Sequence, residues 1–104
     1  MKRGIARKWV VALKSGKYKQ ARSRLKNGDN YCCLGVLCNL YEEETGDEGW
    51  ENYKVLPPQV RDWAGMQTND GTYGDTKRLT RDNDTLRKSF TKIANIIKEN
   101  VDNL

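Results

Sequence analysis

The segment YCCLGVLCNLY, residues 31–41, constrains this chain more than any other stretch. From about residue 33 it reads as a helix. Leu34, Leu37, Cys38 and Tyr41 share one face, and Cys33, Val36 and Leu40 lie beside it. A helix apolar almost all round needs packing partners on every side, so the rest of the chain must be built around it. Gly35 costs such a helix about 1 kcal/mol in propensity. That cost implies a compensating role, either close approach by another backbone or a place in the first turn. YEEETGDEG then ends the element, with Gly46 as its stop signal.

The surrounding elements follow from periodicity and punctuation. Residues 4–15 predict an amphipathic helix with Ile5, Trp9, Ala12 and Leu13 on one face, and Gly16 as a left-handed cap. Residues 18–33 predict a hairpin around Asn-Gly-Asp-Asn. A four-residue loop at 27–30 sets Leu25 opposite Cys32, apolar against apolar, and is favoured over the two-residue loop that sets Leu25 opposite Asn30. The first strand, with Arg22, Ser23 and Arg24 in its middle, has the polarity of an edge. VLPPQVRDWAGM, residues 55–66, predicts a short helix with Pro57 or Pro58 in its first turn, Gly65 as its cap, and Leu56, Val60 and Trp63 inward. Residues 67–77 have no period and predict a polar loop or irregular hairpin. Leu86, Phe90, Ile93, Ile97 and Val101 mark a final helix, capped by Asn83 or Asp84, or by Ser89 if it begins at Phe90.

A chain of 104 residues supports one domain with one modest core. The expected fold is α+β: a mainly helical single domain over residues 1–104, with a two-stranded antiparallel β-hairpin packed on three or four helices. Its expected core is Trp9, Tyr31, Leu34, Leu37, Cys38, Leu56, Val60, Trp63, Phe90, Ile93 and Ile97. No run approaches the roughly 18 apolar residues of a membrane span. The N-terminus has no signal-peptide pattern. Both point to a soluble, intracellular chain without a membrane partner.

Three cysteines and no histidine narrow the chemistry. Structural zinc wants four ligands, usually Cys pairs or Cys with His, and Cys32 and Cys33 are adjacent. A thiol nucleophile at Cys33 would lack the usual histidine base. EEETGDE, residues 42–48, lacks the alternating spacing of a calcium loop. No glycine-rich phosphate loop is present. The expectation is therefore no metal, no cofactor and no enzymatic activity, with the cysteines acting as small apolar packing residues. A small enzyme using Cys33 or clustered carboxylates is the weakest alternative.

Charge carries the functional signal. The net charge is +5, but residues 1–26 hold ten basic residues and no acidic one, leaving nine basic against fourteen acidic in the rest. Arg3, Arg7 and Lys14 fall on the outer face of the first helix. Lys19, Arg22, Arg24 and Lys26 extend the stripe along the hairpin, and Tyr18 and Tyr31 offer faces for stacking bases. Such a face suits an anionic partner, unless the acidic run folds back to neutralise it. SFTKIANII, residues 89–97, resembles the first helix of a helix-turn-helix, but KENVDNL is too short and too acidic for a recognition helix.

Four blocks together resemble a family of small proteins encoded by tailed bacteriophages and prophages: KWVVALKSGKYKQ (8–20), GDNYCCLGVLCNL (28–40), LPPQVRDWAGM (56–66) and SFTKIANIIKEN (89–100). The YCCLGVLC block is the most specific. RDNDTLRKSF departs from the family pattern, which carries a glycine in the turn before the last helix. The resemblance implies a phage accessory protein in the host bacterial cytoplasm and assigns no catalytic residue. The resulting expectation is a non-enzymatic protein that binds a host or phage macromolecule, an unidentified protein first, through Arg3, Arg7, Lys14, Lys19, Arg22, Arg24 and Lys26. Direct nucleic-acid binding through the same face is the alternative.

Overall fold

A computed structural model describes all 104 residues. Helix α1, Arg3–Lys14, buries Ala6, Trp9 and Leu13, with Ile5 and Ala12 half-buried beside them. Gly16 adopts φ +77°, the left-handed turn that glycine enters without strain. Helix α2, Cys33–Thr45, buries Cys33 through Cys38 and Tyr41. Seven of its residues are thus enclosed, as its all-round apolarity requires, and each buried leucine or valine contributes roughly 1.5–3 kcal/mol. Its N-cap is unusual: the Cys32 sulfur accepts from Gly35 N–H at 3.4 Å. Gly46 ends it in the left-handed region.

Gly35 lies in that first turn and also meets a backbone. A Cβ built on it would stand 1.8 Å from the Leu25 carbonyl oxygen. Both roles inferred for this glycine are therefore realised at once.

The β structure differs from the expected two-stranded hairpin. Three two-residue strands, β1 Lys19–Gln20, β2 Lys26–Asn27 and β3 Asn30–Tyr31, form a mixed sheet in the order β1-β3-β2. The β2–β3 pairing is antiparallel and the β1–β3 pairing parallel. The expected register holds, because Lys26 faces Tyr31 and Cys32 N–H donates to Leu25 O at 3.0 Å. The turn is tighter than expected: Asn27 pairs with Asn30, leaving Gly28, at φ +60°, and Asp29 between them. The expected first strand is split because Ala21 and Leu25 are both buried, at 7% and 0% exposure. The chain reaches both burial sites by leaving the sheet at 21–25, with Ser23 at φ +72°.

Helix α3, Pro58–Ala64, starts on Pro58 and stops at left-handed Gly65. The irregular hairpin at 67–77 is held by an antiparallel bridge between Thr72 and Arg78. A fourth helix, α4, Leu79–Asp84, occupies the stretch expected to cap the final helix. The final helix α5, Phe90–Glu99, is the shorter of the two versions, with the Ser89 hydroxyl accepting from Lys92 N–H at 3.3 Å. Leu86 consequently lies outside it and is 48% exposed. A 3₁₀ turn, Val101–Asn103, closes the chain.

Helix α2 packs against α1, α3 and α4, and α5 packs against α1 and α4. The core contains Trp9, Leu34, Leu37, Cys38, Leu56, Val60, Phe90, Ile93 and Ile97, as expected. Tyr31 and Trp63 are only half-buried, because each sits at the rim beside another aromatic ring, Trp50 and Tyr41 respectively. Trp50, Leu25, Leu79 and Leu104 belong to the core as well. No helix is long and apolar enough to cross a membrane.

Candidate macromolecule-binding surface

The rotation of α1 about its axis is fixed from inside. Trp9 is fully buried and its indole N–H donates to Cys33 O at 2.8 Å. Arg3, Arg7 and Lys14, at helical spacing on the opposite side, are therefore turned outward and are exposed. Together with Ala6, Val10 and Val11 they form one wall of a groove of about 560 Å³. The other wall is Lys98 and Glu99 of α5 with Val101 and Asp102 of the closing turn. Val11 is 68% exposed, with Arg7 four residues before it and Lys14 three after.

The acidic run does fold back, but onto other lysines. Glu44 lies 3.9 Å from Lys8, and Glu43 lies 3.4 Å from Lys17. Three carboxylates of this run, Glu42, Glu44 and Asp47, also accept from aromatic donors. Glu42 accepts from Trp50 Nε1 at 3.0 Å, Glu44 from the Trp63 indole and Asp47 from the Tyr41 hydroxyl. Among the seven candidate residues only Arg3 has a carboxylate partner, Asp102 at 3.3 Å. Both side chains of that pair are mostly exposed, so it contributes little. Arg7, Lys14, Lys19, Arg22, Arg24 and Lys26 have no ion-pair partner.

The seven do not form one stripe. Lys19 pairs with Asn30 and Lys26 with Tyr31. Successive residues of β3 point to opposite faces, so the two lysines do too. Exposed Lys19 and half-buried Lys26 agree with this division. The Lys26 ammonium lies 5.3 Å from the centre of the Tyr31 ring. Arg24 is exposed, whereas Arg22 is half-buried with its Nε shielded and unpartnered. The groove beside α1 is thus lined by Arg3, Arg7 and Lys14 and by none of Lys19, Arg22, Arg24 and Lys26. The tyrosines expected to stack bases are otherwise engaged. Tyr18 is buried with its hydroxyl accepting from Asn39 Nδ2 at 2.7 Å, and Tyr31 packs edge-on against it at 5.1 Å.

Two cationic features escaped the reading of the sequence. Lys98 completes the groove from a distant helix. Lys77, Arg78, Arg81 and Lys88 line a smaller cleft of about 330 Å³, with Tyr73 and Asp82 beside them. The density of basic residues between 77 and 88 was the available signal, masked by treating everything after residue 26 as one acidic half. Asp82 there is 3% exposed, accepting from Tyr73 Oη at 2.6 Å and facing Lys88 Nζ at 3.1 Å.

All three cysteines are free and buried. Burial pushes the Cys32 thiol from its ordinary 9.0 up to about 11, and raises Cys33 and Cys38 as well. No group of three His, Cys, Asp or Glu residues is arranged to hold a metal ion. A raised folded-state value means the unfolded chain loses these protons first. The stability held by the neutral thiols is therefore fully present below about pH 9 and is lost as pH climbs through the folded values. Cys32 alone accounts for a loss of about 2 kcal/mol by pH 11. Denaturant midpoints measured from pH 8 to 11 should fall steadily, by less in Cys32→Ala. A thiol reagent at pH 8 should modify none of the three until the chain unfolds.

No curated protein and no solved structure matches this chain. A family model described as a domain of unknown function, DUF8296, matches residues 1–101, nearly the whole of the α+β unit that carries the groove. The chain therefore belongs to the DUF8296 family.

Proposed function

We propose that this protein is a non-enzymatic bacteriophage accessory protein that acts inside the host bacterium by binding a host or phage macromolecule through its basic N-terminal residues. The observation that carries this reading is the pattern of ion pairing. The acidic segment neutralises Lys8 and Lys17 and leaves Arg7, Lys14, Lys19, Arg22, Arg24 and Lys26 without carboxylate partners. Unpaired surface cations beside an exposed valine favour an anionic partner with some apolar character. Burial of all three thiols and the absence of histidine support a binding role over a catalytic one.

The test is capture from bacterial extract, with bound species identified before and after nuclease. Wild type should retain a nuclease-resistant protein that two charge reversals, Arg7→Glu with Lys14→Glu and Arg22→Glu with Arg24→Glu, together release. Retention indifferent to both pairs of substitutions would refute the reading. Material lost to nuclease, with affinity falling by a log–log salt slope of about −0.9 per phosphate contacted, would instead establish direct nucleic-acid binding.

A further inference from the structure

We propose that the groove between α1 and α5 is a docking site for an acidic, amphipathic helix of a protein partner. This deepens the binding role proposed above and rests on it. The groove is built for two chemistries at once. Its apolar surface is Ala6, Val10, Val11 and Val101, and its cations are Arg3, Arg7, Lys14 and Lys98. Val11 is the most exposed large apolar residue of the protein, and it also lines a neighbouring depression with Ala12 and Leu40. An apolar ridge therefore runs along the outer face of α1 between the basic side chains.

Length and shape point to a helix. From Arg3 to Lys14 the wall extends about 16 Å, the rise of three helical turns. Two packed helices present a trough in which a third lies, contacting through residues spaced three and four apart. Its apolar stripe would cover Val10, Val11 and Val101. Carboxylates flanking that stripe would meet Arg7 and Lys14 on one side and Lys98 on the other.

Chemistry disfavours a phosphodiester strand in the same place. No aromatic ring lines the groove for base stacking. A sugar-phosphate backbone also offers nothing to cover three valines. The Arg3–Asp102 pair, by contrast, is exposed and weak enough to open, releasing Arg3 to an incoming carboxylate.

The experiment uses the full chain and four labelled probes. The first is a helical peptide of about four turns with leucine every three to four residues and glutamate between them. Two companions replace its glutamates by lysine or its leucines by serine, and the fourth probe is an oligothymidylate. The acidic amphipathic peptide should bind at least about tenfold more tightly than either companion or the oligonucleotide, and Arg7→Glu and Val11→Asp should each weaken it about tenfold. Lys54→Glu, a reversal of an exposed charge outside the groove, should leave it unchanged. Thermal melts of each variant establish that it is folded. Equal binding of the three peptides, no binding of the first, preferential binding of the oligonucleotide, or self-association abolished by Val11→Asp would each overturn the proposal. If the groove variants are silent while Arg22→Glu with Arg24→Glu abolishes capture from extract, the docking site is refuted and the wider binding role stands.

Discussion

Gly35→Ala will destabilise the protein by about 3 kcal/mol or more, the upper end of what overpacking a core costs. In an ordinary helix interior the substitution would stabilise by about 1 kcal/mol, since alanine is the better helix former. Two effects of opposite sign therefore compete, and geometry decides between them. The new Cβ would stand 1.8 Å from Leu25 O and 2.8 Å from Leu25 C, atoms of a backbone rather than the end of a flexible side chain. Leu25 cannot yield easily. Its side chain is fully buried, its carbonyl accepts from Cys32 N–H, and its own N–H donates to Tyr53 O at 3.2 Å. Moving it would disturb the sheet, the N-cap of α2 and the 50–54 loop together. A loss of this size lowers the melting temperature by roughly 12–24 °C in a domain of about 100 residues. Gly4→Ala supplies the control: nothing lies within 4 Å of its Cβ position, and α1 should gain a few tenths of a kcal/mol. Equal stability of wild type and Gly35→Ala in denaturant titration would mean that α2 and the Leu25 backbone do not meet as described.

Asn83→Ala will cost about 4 kcal/mol, because two buried backbone groups lose their partners at about 1–3 kcal/mol each and a small cavity opens. Asn83 has no exposed surface. Its Oδ1 accepts from Cys33 N–H at 3.2 Å and Gln20 Nε2 at 2.8 Å. Its Nδ2 donates to Ala21 O at 2.9 Å and Asp84 Oδ1 at 2.7 Å. One amide thus joins the start of α2, strand β1, the 21–25 excursion and α4. Asn83→Asp separates hydrogen bonding from size. It keeps the volume and the acceptor but turns the donor into a second acceptor facing Ala21 O and Asp84, so it should be no milder than alanine. Guanidinium titration of the three proteins checks the order. Near-wild-type stability of Asn83→Asp would show that side-chain volume, and not the donor, holds this junction.

These two residues also mark how far the sequence could be read. Gly35 was legible because a glycine inside an all-apolar helix has a known local cost, and that cost points to a steric reason. The helices α1, α2, α3 and α5 were legible for the same kind of cause: apolar period, proline at the start, glycine at the end. The Leu25–Cys32 register followed from matching apolar residues across a turn. Asn83 was only one of three possible caps for the final helix, of which Ser89 is the one that forms, and nothing beside Asn83 announces its burial. Helix α4 was missed with it, because six residues are too few to display a period.

The candidate surface divides along the same line. Ten basic residues without an acidic one, and the outward face of α1, come from the sequence alone. The groove does not, since Lys98, Val101 and Asp102 arrive from the other end of the chain. Nor does the separation of Lys19 from Lys26, which depends on the chain leaving the sheet to bury Ala21 and Leu25. Periodicity, capping and steric cost act between residues a few positions apart and are written into the order of the residues. Which polar group satisfies a buried amide, and which cations share a wall, depends on segments far apart in the chain meeting in space, and only the packed structure decides that.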